Sequence, residues 1–90
     1  MTEEELEKFK QKLSESMTFP TVYMFKFIIE SEHRTIALVE NLFDADTDIH
    51  TKESGKGRYT SITAKQVVMS VEEVMEVYRK AGKIKGIMFL

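Results

Sequence analysis

Over the first sixteen residues the apolar positions recur at helical spacing. Leu6, Phe9 and Leu13, followed by Met17, form a narrow stripe on an otherwise charged segment that needs something to pack on. Thr2 and Glu5 stand at capping-box spacing, which satisfies two N–H groups orphaned at a helix start. Glutamates fill the first turn and Lys8, Lys10 and Lys12 follow, the order the helix dipole favours. A helix over Thr2–Ser16 is predicted. Phe19-Pro20 ends it, because the residue before proline is pushed out of the α region. The period then changes to two. Tyr23, Phe25, Phe27 and Ile29 alternate with Val22, Met24, Lys26 and Ile28, so Thr21–Ile29 reads as a strand. Its uniformly apolar set should face the core, and the half-apolar set with its lysine an open sheet face.

Helical spacing returns at Ile36, Val39, Leu42 and Phe43, predicting a helix from Glu32 to about Phe43 with Ser31 as its cap. Asp44–Asp48 reads as the turn out of it. Ile49–Glu53 is a short strand, Ser54–Gly57 a hairpin loop, and Arg58–Val68 the partner strand. On that strand Ile62, Ala64 and Val68 should face the core, and Tyr59, Ser61, Thr63 and Lys65 the open side. Ser70 and Glu73 repeat the capping-box spacing and open a helix to Ala81, with Val71, Val74, Val77 and Tyr78 on one face. Gly82 is expected to stop it in the left-handed conformation, and Lys83–Leu90 to form the last strand.

From Thr21 onward the order is β-α-β-β-α-β. It predicts an α+β, ferredoxin-like two-layer sandwich, with a four-stranded antiparallel sheet and two helices on one face. Residues 1–18 are then an extra N-terminal amphipathic helix and residues 19–90 the ferredoxin-like domain. The stripe of the first helix leaves two arrangements open. Either the helix covers the open face around Met24, Ile28 and Tyr59, or that face is a surface for a partner.

Ninety residues make one domain, with little core to surround a large cofactor. The absence of cysteine excludes disulfides and thiolate metal sites, and fits a cytoplasmic setting. Met-Thr-Glu-Glu-Glu shows no signal-peptide pattern, and no apolar run approaches a membrane span. A net charge of −2 argues against generic attraction to nucleic acid. The charges are unevenly spread: residues 1–50 hold five Lys/Arg against eleven Asp/Glu, and residues 51–90 hold eight against four. The predicted topology gathers Lys56, Arg58, Arg79, Lys80 and Lys83 at one end of the sheet, with Asp44, Asp46 and Asp48 at the other.

With Phe19-Pro20-Thr21, Ser54, Lys56-Gly57, Tyr59, Ser61, Tyr78 and Gly82-Lys83-Ile84 placed in this order, the chain resembles the YbeD-like family of small bacterial proteins of unknown function. The resemblance runs from about Phe19 to Leu90. It implies a ferredoxin-like fold similar to ACT regulatory domains, and lends no activity. The first strand–helix turn, Glu30-Ser31-Glu32-His33, lacks the glycine that ACT domains usually place beside their effector.

The remaining constellations yield little chemistry. Asp44, Asp46 and Asp48 match the start of a calcium loop, but Ile49 and Gly55 stand where its glycine and bidentate glutamate belong. His33 and His50 fall in different elements, and no nucleophile–base–orienter set is present. Arg34 has no phosphate-cradling glycine loop of the acylphosphatase kind. After Lys56-Gly57 the aromatic spacing of an RNA-recognition strand fails, leaving only Tyr59 to stack. Ser54-Gly55-Lys56-Gly57 can cradle an anion through backbone N–H groups or serve simply as a hairpin turn.

The sequence therefore points to a small regulatory or protein-interaction module without catalytic activity, metal or cofactor. Its candidate contact residues are Lys56, Gly57, Arg58, Tyr59, Ser61 and Lys83. A protein partner or self-association is expected, with no membrane contact. An ACT-like sensor of a small molecule or anion, and a weak RNA-binding domain, are the alternatives.

Overall fold

In the computed structural model, which describes residues 2–90, two long strands form the spine of the sheet. β1 (Thr21–Glu30) and β3 (Tyr59–Val68) pair antiparallel over their full length, from Thr21 opposite Val68 to Glu30 opposite Tyr59. β2 (Asp48–Glu53) pairs with β3 on one side, and the short β4 (Met88–Phe89) with β1 on the other. The order β2-β3-β1-β4 is antiparallel throughout. With α2 (His33–Glu40) after β1 and α3 (Val71–Ala81) after β3, the chain has the α+β, ferredoxin-like order that the sequence predicts.

The side-chain alternation on the two spine strands decides which face is core. Phe25, Phe27 and Ile29 on β1 and Ile62, Ala64 and Val68 on β3 are wholly buried, while Lys26 and Lys65 are exposed. Val39 of α2 and Val74, Met75 and Val77 of α3 close over the same side. Burial of each large apolar side chain contributes about 1.5–3 kcal/mol, so one continuous cluster of this kind suffices to hold a small domain together.

The first helix, α1 (Glu3–Ser16), joins this cluster instead of covering the opposite face. Leu6 and Leu13 are buried in it, and Phe9 meets Tyr78 of α3 edge-on with ring centroids 5.2 Å apart. Lys10 reaches Glu72 of α3 at 3.1 Å. All three helices thus lie on one side of the sheet, and its outer face is left uncovered. The capping box of α1 forms as its sequence predicts, with Thr2 N–H donating to Glu5 Oε1 and Glu5 N–H to Thr2 Oγ1, each at 3.1 Å. The Thr2 backbone N–H holds the Glu5 carboxyl below the usual carboxylate range.

Three expectations are corrected. Ser31 does not cap α2: its N–H donates to the Arg58 carbonyl at 2.9 Å and its hydroxyl pairs with Thr60 Oγ1 at 2.7 Å. Those bonds close the end of the β1–β3 ladder, and Glu32 takes the cap position without a side-chain bond. α2 also ends at Glu40, short of Phe43. The N–H groups of Leu42 and Phe43 fall back on the carbonyls of Val39 and Glu40, a three-residue pitch that tightens the last turn. Leu42 and Phe43 still pack on the core. Lastly, Gly82 is right-handed, with φ −61°, and its N–H donates to the Tyr78 carbonyl at 2.9 Å. Turns continue through Ile84, whose N–H reaches Ala81 O, and the left-handed conformation falls at Gly86, φ 81°. Residues spent on those turns are lost to β4, which keeps two of the eight expected.

α3 begins as predicted at Ser70, whose hydroxyl accepts from Glu73 N–H at 3.4 Å. The reciprocal bond is displaced by one residue, since the Glu73 carboxylate accepts from Met69 N–H.

Candidate functional site

The β2–β3 hairpin is locked by Ser54. Its N–H donates to the Tyr59 carbonyl at 2.7 Å and its hydroxyl accepts from Tyr59 N–H at 3.1 Å. Gly57 N–H donates to the Ser54 carbonyl at 2.8 Å, and Gly57 sits at φ 69°, the positive value the loop requires. Two of the four N–H groups of the Ser54–Gly57 loop, those of Ser54 and Gly57, are thereby engaged internally. Lys56 is exposed at the tip. Arg58 folds back so that its guanidinium lies 5.4 Å from the centre of the Tyr59 ring, within cation–π reach.

Tyr59 and Ser61 project to the outer sheet face, as their parity predicts. With Ile28, Lys52, Glu53 and Ser54 they line a shallow, largely apolar depression of about 200 Å³. The Ser61 hydroxyl donates to the Lys52 carbonyl at 3.3 Å. Gly57, Arg58, Tyr59 and Ser61 are therefore brought together at one end of the outer face. Lys83 is placed elsewhere. It lines a depression on the helical side with Glu3, Glu76, Arg79 and Lys80, which holds no hairpin residue.

The rest of the outer face carries a strip of exposed apolar side chains. Val22 and Val67 are direct cross-strand partners and remain 59% and 60% exposed. Met24 and Met69 follow Val22 and Val67 at two-residue spacing and are exposed, Met88 is exposed farther along, opposite Ile28, and Lys26 and Lys65 are interspersed.

One feature of this region escapes sequence reading because it depends on how little of β1 is covered by β4. Only Phe27 and Ile28 pair with β4, and Leu90 N–H adds a bond to the Lys26 carbonyl at 3.2 Å. Backbone groups alternate in direction along a strand, so those of Met24 and Val22 point to the same side as Lys26 O. Among the described residues no strand meets them. The N-terminal half of β1 thus offers an open edge bordered by the exposed Val22 and Met24 side chains.

Tyr78 is buried, and desolvation, reinforced by the hydrogen bond with Tyr23, pushes its hydroxyl well above the ordinary phenol range. It lies in the core beneath α1, away from the outer face. His50 and Asp48 touch at 2.9 Å on exposed β2. Among the described residues no group of three or more His, Asp or Glu side chains is placed to hold a metal ion, and no helix is long and apolar enough to cross a membrane.

A family model described as "Protein of unknown function (DUF493)" matches residues 14–90, which takes in the whole sheet, α2, α3 and the hairpin but only the last turn of α1. The UPF0250 proteins of Shewanella piezotolerans (strain WP3 / JCM 13877) and Shewanella halifaxensis (strain HAW-EB4) are each 31% identical to this chain over 80 residues, spanning 84% of it and 91% of their own length. The UPF0250 protein of Shewanella sediminis (strain HAW-EB3) is 30% identical over 80 residues. No solved structure matches.

Proposed function

The chain belongs to the DUF493 family of proteins of unknown function, and from that premise we propose that it is a non-catalytic interaction module that docks another polypeptide on its outer sheet face. The uncovered strip of Val22, Met24 and Val67 carries this reading. A domain this small that placed its amphipathic α1 over the strip would bury it. Here α1 packs on the helical side instead, and the strip stays in water. Isolated exposed apolar residues are ordinary, but a cross-strand pair flanked by methionines beside an unpaired strand edge is the composition of a contact surface. The open edge of β1 adds backbone hydrogen bonds for an extended partner segment, and the Tyr59–Ser61 depression a place for a side chain. A regulatory role in the cytoplasm is the setting this reading supposes.

Affinity capture from native lysate tests it with three baits. Wild-type protein and the Lys56→Gln/Arg58→Gln hairpin variant should retain the same partner. A Val22→Lys/Val67→Lys variant should lose it while unfolding at the same temperature. Retention of the partner by the folded lysine variant would refute the outer face as the working surface. Loss with the hairpin variant alone would move the surface to the basic loop.

A further inference from the structure

On the helical side, away from the outer sheet face, a depression of about 470 Å³ opens between the end of α2 and the turns that follow α3. Lys80, Lys83 and Lys85 line it together with Leu38, Leu42 and Ile84, and Asn41 completes it. Leu42 and Ile84 pack against the core, whereas Leu38 is 46% exposed, so the apolar lining is both anchored and open to solvent.

The charge arrangement is what sets this depression apart. Its lining holds three ammonium groups and no carboxylate. Lys80 makes only a long 3.9 Å contact with the exposed Glu76, and among the described residues Lys83 and Lys85 form no ion pair. The dipole of α3 explains Arg79 and Lys80 in its last turn, but Lys83 and Lys85 stand beyond its C-cap, where that effect has faded. Carboxylates stand outside it on both sides: Glu30 and Glu32 line an adjoining depression that shares Leu38, Ile84 and Lys85, and Glu3 and Glu76 one that shares Lys80 and Lys83.

We propose that Lys80, Lys83 and Lys85, with Leu38, Leu42 and Ile84, form a binding site for a small organic phosphate: an anionic head joined to a compact apolar body. Three lysines lining one depression can meet a dianionic head as point charges, and the volume is that of a small-molecule site. The leucine and isoleucine side chains receive the body, and this discriminates such a ligand from inorganic phosphate. Tyr59, Ser61 and the outer face play no part, so the site is independent of the docking surface.

Titration of the full chain with hexyl phosphate, followed by methyl NMR, tests the assignment. Saturable shifts are expected at the Leu38, Leu42 and Ile84 methyls and none at Val22 or Val67. Inorganic phosphate should bind at least tenfold more weakly, and neutral hexyl glucoside should leave the spectrum unchanged. A Lys80→Gln/Lys83→Gln/Lys85→Gln variant should bind hexyl phosphate at least tenfold more weakly while unfolding at the same temperature; Lys83→Arg alone should retain binding. Absence of saturation, equal binding of hexyl phosphate and hexyl glucoside, equal affinity in the folded triple variant, or shifts centred on Val22 and Val67 would each overturn the proposal. Loss of hexyl phosphate binding at the lysines leaves polypeptide capture by the outer face untouched, so the two readings fail separately.

Discussion

The hydroxyls of Tyr23 and Tyr78 meet at 3.2 Å, joining the first half of β1 to α3 beneath α1. Tyr78 is the point where three layers converge: its ring is edge-on to Phe9 of α1 and 5.6 Å, centre to centre, from Phe25 of the sheet. Burying a phenol there requires a hydrogen-bond partner, and Tyr23, which lies on the core parity of β1 but is only half-buried, supplies it.

That contact predicts how the protein responds to alkali. Burial favours the neutral phenol, so Tyr78 holds its proton in the folded state at a pH where the unfolded chain, titrating near the ordinary value of about 10, loses it. Folded protein then binds more protons than unfolded, and stability falls as pH rises above about 10, with no contribution from this group below that. Tyr78→Phe should remove this part of the alkaline loss, and at neutral pH should cost about 0.5–1.5 kcal/mol. Urea unfolding of both proteins across the alkaline range decides it. Parallel loss of stability in the two would show that Tyr78 is not the group concerned.

Gly57 and Gly82 should respond unequally to a side chain. Gly57 sits at φ 69° with ordinary room for a Cβ, so the cost of Gly57→Val is conformational, about 1–3 kcal/mol. Gly82 is right-handed, and an added Cβ would lie 3.3 Å from the Tyr78 carbonyl. That contact is tight, but no left-handed strain adds to it, so Gly82→Ala should cost less than Gly57→Val, about 1 kcal/mol or below. Chemical denaturation of the two variants checks the pair, and a Gly82→Ala loss as large as that of Gly57→Val would contradict the assigned conformations.

The contrast between these glycines shows where the sequence was legible. Gly57 closes a loop between two alternating runs, so local pattern dictates its conformation. At Gly82 the same residue type follows a helix end, yet the turn extends to Ile84 because Lys83 and Ile84 find carbonyls three residues back. Strand parity was legible for the same local reason: Phe25, Phe27 and Ile29 alternate with residues the core rejects. Ser31 was misread because its true partner, Thr60, is remote in sequence. The destination of α1 was left open, since its stripe names an apolar neighbour without saying which. In the candidate site, the placing of Tyr59 and Ser61 on the outer face followed from parity. The separation of Lys83 from the hairpin, and the bare edge of β1, depended on turns after α3 that carry no periodic signal.

Strand parity itself is testable at two adjacent positions. Phe27 is wholly buried and touches Phe43, Tyr78 and Phe89, so Phe27→Ala should cost about 3–5 kcal/mol and leave a marginal fold. Lys26 points outward, and Lys26→Ala should stay within about 0.5 kcal/mol of wild type. Similar losses at both positions, measured by calorimetry, would contradict a single buried face for β1.

α1 separates stability from partner capture. Leu6 is 4% exposed in the common core, so Leu6→Ala should cost about 2–5 kcal/mol, although residue 6 lies before the span matched by the family model. The partly exposed Lys10–Glu72 pair on the same helix contributes at most about 1 kcal/mol, and Lys10→Ala should be close to neutral. Because α1 lies on the far side of the sheet from Val22 and Val67, Leu6→Ala should still capture the outer-face partner with wild-type affinity at temperatures where it remains folded. Circular dichroism establishes the folded fraction and affinity capture reads the binding. A folded Leu6→Ala protein that has lost its partner would place α1 in the contact surface, and the outer face would no longer account for docking by itself.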